Sequence, residues 1–405
     1  MPAPSPIGLG PLGFVFLIIG SLMLGLVAPL AARAAAPGLI LLAVLGGGLL
    51  VWRDRRLPRL DGTVLVPLLA FILYGGLSIT WSLVPKDAGA QTLTFLYEFL
   101  PAFLLFPAMV LVSPAAATRL AKLLPWAAGL GLVFLGVEVF GDQPIYRLLN
   151  GEPPYPFAFV SAVNRAAVLV ALMSGPVALL MWRSGRRLMA GLWLALVTVT
   201  CLLSESQSAA AAQLALLGLI ALALWSPRIA AGAIALGIVA AMLFCTPAAQ
   251  AMLDAGLAQA PWMPHSFQHR IMTWDFVVPF IEQKPWLGWG LDSARAIPGG
   301  KEFFPGTANW GKLPLHPHNF FLQVRLELGW VGAVLVTWLL LAILWLLVRL
   351  DGQRRVMGLA LFGTCIFIQC FAYGAWQTWL LCGMLFAFAL IEVAMRVPLV
   401  SRGNA

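Results

Sequence analysis

Charged residues are scarce in this chain of 405 residues: Asp, Glu, Lys and Arg together make up 10% of it, whereas 61% is hydrophobic. Soluble globular domains carry about 25% charged residues, so the composition excludes an ordinary soluble protein. The mean hydropathy of +0.92 is typical of a chain built from membrane helices. Because nearly all of the chain lies in or beside apolar segments, we predict a single membrane domain over residues 1–405.

Cysteine is also scarce, and all five cysteines lie within apolar runs. Without paired spacing in a polar loop, they argue against a disulfide framework or a cysteine-ligated metal. The first apolar run is long and follows no charged segment, so we expect it to remain as a helix. The net charge of +9 does not indicate a nucleic-acid partner, because its basic residues are spread over short loops between apolar segments.

The apolar runs predict an all-α polytopic membrane protein, since a bilayer is crossed by about 20 apolar residues. On this rule we predict about 12 transmembrane helices. Their predicted bounds are Gly8–Leu30, Ala35–Trp52, Thr63–Trp81, Leu93–Val112, Leu123–Phe140, Arg165–Trp182, Leu188–Leu203, Ala209–Trp225, Ile229–Thr246, Phe320–Val348, Val356–Tyr373 and Trp376–Met395.

The basic residues predict the orientation of these helices, because cytoplasmic loops carry an excess of Lys and Arg. Of the 25 basic residues, 15 fall in alternate loops and the C-terminal tail. They are Arg53, Arg55, Arg56, Arg59, Arg119, Lys122, Arg183, Arg186, Arg187, Arg228, Arg349, Arg354, Arg355, Arg396 and Arg402. We therefore expect these loops and both termini to be cytoplasmic, and the other loops to face the periplasm of a bacterial inner membrane.

The one long polar interruption, residues 247–317 between the ninth and tenth predicted helices, is then a periplasmic loop. Within it Ser266 is a plausible N-cap. Apolar residues then recur at helical spacing through Trp274 to Ile281. This pattern predicts an amphipathic helix that lies on the membrane or on the helix bundle. Pro285 ends it.

All four histidines, His265, His269, His316 and His318, lie in one 54-residue window of this segment. Histidine gains or loses a proton near neutral pH. Confinement of every histidine to one loop and its border therefore predicts proton or ligand chemistry there.

His318 stands out by its spacing to two glycines. His318 and Asn319 are followed by nine residues, Gly329, two residues and Gly332. If one regular helix begins near His318, the rotation of about 100° per residue places His318, Arg325 and both glycines on one face. The glycines would let a neighbouring helix pack closely.

This spacing resembles that of bacterial O-antigen ligases, in which His, then Asn, Ser or Gln, is separated by nine residues from a Gly, and two further residues precede a Gly, Thr or Tyr. The long outer loop and twelve spans are similar to that family as well. In the wider superfamily an arginine is followed by an aromatic residue and a Pro/Gly turn, and Arg270, Trp274 and the stretch from Pro285 to Gly290 resemble that element. The resemblance covers the topology of the whole chain, but its motifs lie only between about His269 and Gly332.

The resemblance implies transfer of a polysaccharide from undecaprenyl pyrophosphate to a sugar of lipid A–core, outside the inner membrane. A neutral histidine suits the general base that deprotonates the acceptor hydroxyl, and arginine neutralises a pyrophosphate leaving group well. We therefore expect His318 to be the base, Arg270 and Arg165 to bind the pyrophosphate, and Asn319 to orient the site. Arg165 enters a predicted span, a costly position that is usually functional.

Further substrate contacts are expected from Asn164, Gln207, Arg325, Trp274 and His316. Gln207 departs from the family, since many relatives carry an arginine in that outer turn. The resemblance implies no cofactor and no metal, and partners limited to the two lipid-linked substrates and membrane lipids. We expect a monomer or a weak oligomer.

Several alternatives remain open at this stage. The paired histidines have a spacing that also permits a zinc site. Arg270 and Arg165 could instead contact lipid headgroups. An O-antigen polymerase or a protein O-oligosaccharyltransferase belongs to the same superfamily. A lipid-linked sugar flippase is the non-enzymatic alternative, although no internal repeat of the kind found in many transporters is evident.

Overall fold

The fold is all-helical, as the sequence predicts. The computed structural model describes residues 9–58, 61–151, 157–307 and 310–399, without the side chains of residues 150 and 157–160, and these ranges contain no β-strand. The helices are α1 (Gly10–Leu22), α2 (Ala28–Leu30), α3 (Ala35–Asp54), α4 (Gly62–Leu77), α5 (Pro85–Ala108), α6 (Pro114–Phe140), α7 (Pro144–Asn150), α8 (Phe157–Arg183), α9 (Arg187–Leu203), α10 (Gln207–Trp225), α11 (Pro227–Asp254), α12 (His265–Gln283), α13 (Phe320–Arg349), α14 (Gly352–Gln369) and α15 (Thr378–Arg396).

Every one of the predicted spans corresponds to a helix, α1 and α2 being joined through a π-helical turn. In the described part of the chain, 10 helices are long and apolar enough to cross a membrane. Of the remaining two, α9 has only 17 residues, and α14 carries Arg354 and Arg355 in its first turn. A polytopic membrane protein is therefore supported, while the exact number of crossings stays a prediction.

Two ends of the helix bundle can be told apart by which loops meet there. At one end Arg183 donates to the Gln353 amide and to the carbonyls of Met395 and Val397, and so joins the end of α8 to α14 and α15. These are loops predicted to be cytoplasmic. The predicted outer segments meet at the opposite end. Their orientation across the membrane stays a prediction, and the termini (residues 1–8, with the predicted first residue Gly8, and 400–405) lie outside the described residues.

The core places α8 and α15 at the centre of the bundle, where both are largely buried. A second core cluster lies beneath the predicted outer segments. It contains the apolar face of α12, including Ile271, Trp274 and Ile281, packed with the first residues of α13. The amphipathic helix predicted in the long loop is thereby confirmed, and it packs on the bundle.

Three details differ from the sequence expectation. Helix α11 continues to Asp254, two turns beyond the predicted end of its span. Helix α12 begins at His265 after Pro264, so Ser266 is not its N-cap. Helix α13 is not regular: Gly329 has φ 61° and ψ −157°, and this non-helical residue divides the helix into two segments.

Candidate active site

Four separate segments bring charged and titratable side chains together at the end of the bundle where the predicted outer loops meet. Arg165 comes from the outer end of α8 and Arg270 from the first turns of α12, while His318 immediately precedes α13. Tyr373 lies in the turn of residues 370–377 between α14 and α15. The charges of both arginines act on the Tyr373 phenol, and that of Arg270 also acts on His318.

His318 is held in an unusual backbone conformation, with a φ of 54°, in the left-handed region that costs a side-chain-bearing residue free energy. Its Nδ1–H donates to the Ala372 carbonyl at 2.8 Å. A carbonyl oxygen only accepts, so in the neutral ring the proton is on Nδ1 and the lone pair is on Nε2. Nε2 makes no hydrogen bond with any residue that the structure describes. The ring therefore presents a free basic nitrogen.

His316 lies behind His318 and is buried. The two ring centroids are 4.3 Å apart. The backbone N–H of His318 donates to His316 Nδ1 at 3.2 Å, and His316 Nε2 is 3.0 Å from the Gln377 side-chain nitrogen. Gly374 packs directly against this ring, where a Cβ would clash with it. His316 thus supports the His318 backbone, and its own ring nitrogens are occupied.

Both histidines are neutral at physiological pH. Burial, reinforced by the positive charge of Arg270, lowers the pKa of His318 to about 4. Burial, together with His318 and Arg295, holds the pKa of His316 well below its usual value. A neutral His318 with an unprotonated Nε2 is the form that can accept a proton.

Arg270 is a cation without a counterion. It is half-buried, and its guanidinium makes no hydrogen bond or ion pair with any described residue. Desolvation by burial lowers the pKa of Arg270, opposed by the nearby Tyr373. A partly desolvated arginine with five unused donors is suited to an anion, because guanidinium matches phosphate oxygens in charge and geometry.

Arg165 and Asn164 approach the same space from α8. Arg165 Nη1–H donates to the Ser161 hydroxyl at 3.3 Å. The Asn164 side-chain oxygen is buried and has no hydrogen-bond partner among the described residues. Burial raises the pKa of Tyr373 above its ordinary value although both arginines act in the opposite sense. The phenol thus stays protonated and can donate a hydrogen bond near both cations.

The side chains of Asn319 and Trp274 form hydrogen bonds to the backbone on either side of His318. Asn319 is the N-cap of α13, and its Oδ1 accepts the backbone N–H groups of Phe321 and Leu322 at 3.0 and 3.1 Å. Such a cap satisfies donors that a helix start leaves free. The Trp274 indole is buried and donates to the Pro317 carbonyl at 2.7 Å. Asn319 therefore sets where α13 begins, and Trp274 fixes the residue before His318.

The spacing between His318 and the two glycines does not arise from one regular helix face. The positive φ of Gly329 lets residues 326–331 pair with residues 285–290: the N–H groups of Trp289 and Gly290 donate to the carbonyls of Leu326 and Glu327, and those of Trp330 and Val331 to Pro285 and Trp286. A Cβ on Gly288 or Gly329 would collide with the facing backbone. Gly329, which is separated from Asn319 by nine residues, thus lets the Pro/Gly turn that follows α12 pack against α13.

The expectation that Arg325 shares a regular helix face with His318, Gly329 and Gly332 is wrong as geometry, because the helix is broken at Gly329. The Arg325 guanidinium lies 3.4 Å over the ring of Trp330, a cation–π contact. It does not pair with Glu327, whose carboxylate bonds elsewhere. A substrate contact for Arg325 stays a prediction.

Gln207 begins α10 and lies beside the start of α12. His265 and His269 lie in the first two turns of α12, and the charge of His269 acts on His318. Exposed Gln207 accepts a hydrogen bond from Ser266 at 3.0 Å, which places the outer turn before α10 beside the start of α12. His265 contacts the Gln268 side chain, and His269 Nε2–H donates to the Gly311 carbonyl at 2.7 Å. Within the ranges that the structure describes, no three His, Cys, Asp or Glu residues come together as metal ligands.

The sequence prediction missed the turn of residues 370–377. It supplies the Ala372 carbonyl to His318, the Gln377 amide to His316 and the Tyr373 phenol to the space between the arginines. Tyr373 had been assigned to the end of a span. The available signal was the polar interruption by Tyr373 and Gln377 of two long apolar runs.

Comparison with known proteins found one family match and several related proteins. The model of the O-Antigen ligase family matches residues 190–337. A "Putative polysaccharide ligase" of Rickettsia conorii is 33% identical over 138 residues, which are 33% of this chain and 34% of that protein. Its namesakes in Rickettsia felis and Rickettsia bellii are 30% and 28% identical over the same length and shares. The chain spans about a third of the length of the relatives it matches.

The matches confirm the resemblance to the O-antigen ligase superfamily. The matched segment contains Arg270, His318 and the break at Gly329, whereas Arg165 and Tyr373 lie outside it. The structure brings these two residues to the site independently of the family match.

Proposed function

We propose that this protein is an O-antigen ligase that transfers a lipid-linked polysaccharide from undecaprenyl pyrophosphate to a sugar hydroxyl of lipid A–core, on the periplasmic face of the bacterial inner membrane. The observation that carries the proposal is the pairing of an unneutralised Arg270 with a neutral His318 whose Nε2 is free. The first recognises a phosphate-bearing leaving group, and the second accepts a proton. The superfamily resemblance supports the same chemistry.

In the proposed reaction the acceptor oxygen attacks the anomeric carbon of the donor, and the bond from that carbon to the pyrophosphate oxygen breaks. The hydroxyl proton moves to His318 Nε2 as the new glycosidic bond forms. Undecaprenyl pyrophosphate leaves with the electron pair. Its charge is met by Arg270 and Arg165, with the Tyr373 hydroxyl donating between them, because donors aimed at developing charge stabilise the transition state.

The bound donor also strengthens the base. The positive charge of Arg270 contributes to the low pKa of His318. A pyrophosphate placed against Arg270 offsets that charge and raises the pKa of His318 toward the working pH, where a general base is most effective. Proton transfer is thereby favoured only when the donor is in place.

A lipid carrier has a path beside the site. An apolar cavity of about 590 Å³ begins at Phe320, Ala375 and Trp376, next to the His318 loop and the Tyr373 turn. It continues along α15 from Leu381 to Glu392, roughly 16 Å at 1.5 Å rise per residue. We assign this cavity to the polyprenyl chain of the donor, with the pyrophosphate at its site end.

The proposal is tested by incubating purified protein in lipid nanodiscs with undecaprenyl-pyrophosphate-linked glycan and lipid A–core, with EDTA throughout. The expected product is one glycan joined to lipid A–core, with release of undecaprenyl pyrophosphate, detected by mass spectrometry. Elongated glycan still on its carrier would instead identify a polymerase. Movement of the donor across vesicles without any new bond would identify a flippase, and loss of ligation in EDTA restored by zinc would overturn the metal-independent mechanism.

A further inference from the structure

Glu327 is a fully buried carboxylate that joins three parts of the site region. It accepts hydrogen bonds from the backbone N–H groups of Asp292 at 2.7 Å and Ala294 at 3.4 Å. It also accepts from the Gln323 amide at 2.9 Å and from the Trp376 indole at 2.6 Å. A buried acidic group with this many donors is anchored, since leaving any of them unpaired costs free energy.

Two of these bonds lead to the turn of residues 370–377. Trp376 belongs to that turn and donates directly to Glu327. Gln323, held by Glu327, accepts the backbone N–H of Ala375 at 2.8 Å through its side-chain oxygen. The inner side of the turn is therefore attached to the first segment of α13 at two adjacent residues.

The other side of the same turn holds the proposed base. The Ala372 carbonyl accepts Nδ1–H of His318 at 2.8 Å, and this bond decides which ring nitrogen keeps its lone pair. Ala372 is only a few residues from the anchored pair Ala375 and Trp376. A shift of the turn would move the carbonyl away from His318 and release the ring.

We infer that Glu327 is a positioning residue for His318: through Gln323 and Trp376 it fixes the turn whose Ala372 carbonyl holds the imidazole with Nε2 unprotonated. Glu327 lies nine residues from His318 and contacts no part of the space between the arginines. The inference rests on the proposed function only for its kinetic consequence. The state of the imidazole itself is measurable without substrate.

Two substitutions separate this role from general support of the fold. Glu327→Gln introduces an amide nitrogen among donors and removes at least one acceptor. Trp376→Phe keeps an aromatic ring beside Phe71, Phe95 and Phe320 and removes the indole N–H that joins the turn to the carboxylate. Ser78→Ala is the matched control, since Ser78 is fully buried and accepts the N–H of Leu291 from the loop that also reaches Glu327, without contacting the turn.

The tautomer is read by nitrogen NMR on protein labelled with ring-¹⁵N histidine in nanodiscs. The chain has only 4 histidines, and His318→Gln assigns the signal of interest by its disappearance. Wild type and Ser78→Ala should show His318 protonated at Nδ1 alone. Trp376→Phe and Glu327→Gln should show a mixture of tautomers, because the ring has lost its fixed acceptor.

An unchanged His318 tautomer in folded Trp376→Phe would overturn the inference, as would an equal change in Ser78→Ala. Should Glu327→Gln fail to fold, Trp376→Phe decides. In a ligation assay Trp376→Phe should lower kcat about tenfold, a part of the 10²–10⁴-fold effect of a general base. If the tautomer changes while no ligation is seen even in wild type, the positioning role stands and the proposed function fails.

Discussion

Two arginines at opposite ends of the helix bundle, Arg183 and Arg270, differ in their hydrogen bonds. At the end where the predicted cytoplasmic loops meet, Arg183 makes three hydrogen bonds, Arg186 donates to the Ala121 carbonyl, and Arg354 forms an ion pair with Glu392. At the other end Arg270 has no partner among the described residues. Both arginines belong to the same largely apolar protein, so composition does not explain the difference in their hydrogen bonding.

A cation that is half-buried without a partner loses hydration and gains nothing in return. The fold would be more stable with Arg270 paired, as Arg183 is. Such a cost persists where a ligand supplies the missing partner, and it is accompanied here by the strained backbone of His318. The hydrogen bonds of Arg183 stabilise the fold, whereas the donors of Arg270 stay available to an anion.

The largest effect should come from His318→Ala. Loss of the proposed base should lower kcat for ligation by about 10²–10⁴-fold in folded protein. The comparison is His265→Ala, which alters an exposed histidine of the same loop and should leave kcat unchanged. Wild-type ligation by His318→Ala at equal protein levels would remove the base assignment.

Next in size is Arg270→Ala, compared directly with Arg183→Ala. Arg270→Ala should lower kcat/KM for the donor by about 10²-fold, the effect of losing one transition-state donor, without lowering the thermal unfolding temperature. Arg183→Ala should do the reverse, destabilising the fold by about 1.5–3 kcal/mol through lost charged hydrogen bonds at unchanged kcat/KM. If both variants changed kcat/KM and the unfolding temperature in the same way, the proposed contrast between Arg270 and Arg183 would be wrong.

Tyr373→Phe should have a smaller effect. Removal of one hydroxyl between Arg165 and Arg270 should reduce kcat/KM about tenfold, as loss of a single hydrogen bond to a charged group does. Steady-state kinetics with the lipid-linked donor measure it. A variant with wild-type kinetics would show that the phenol only fills space.

The smallest expected effect is a shift in the pH dependence of kcat/KM. His318 must be unprotonated to act, so activity should be level above its pKa of about 4 and fall as the pH decreases through that value. Arg270→Gln removes a positive neighbour and should raise the pKa, which shifts the acidic limb to higher pH. A limb that stays in place would show that Arg270 does not act on His318.

Local patterns in the sequence predicted the helices and the amphipathic helix α12, because each depends on composition or spacing within a short stretch. The role of His318 stays a prediction. The break at Gly329 was not predictable in this way, since its positive φ is imposed by the turn of residues 285–290 packed against it. For the same reason Gly329 and Gly332 do not continue one regular helix face from His318. Glu327 is held by hydrogen bonds to residues 35 and 49 positions away, and Tyr373 lies near Arg165 and Arg270 of two other helices. No local sequence pattern encodes such contacts.

The most direct test of the account is the equilibrium affinity for undecaprenyl pyrophosphate, without glycan, of wild type, Arg270→Ala and Arg183→Ala in nanodiscs. The unpaired arginine predicts that Arg270→Ala weakens binding at least about tenfold, as expected for a lost charge-assisted contact. Arg183→Ala should bind like wild type. Wild-type affinity in Arg270→Ala would contradict the claim that Arg270 is held unpaired to receive the pyrophosphate.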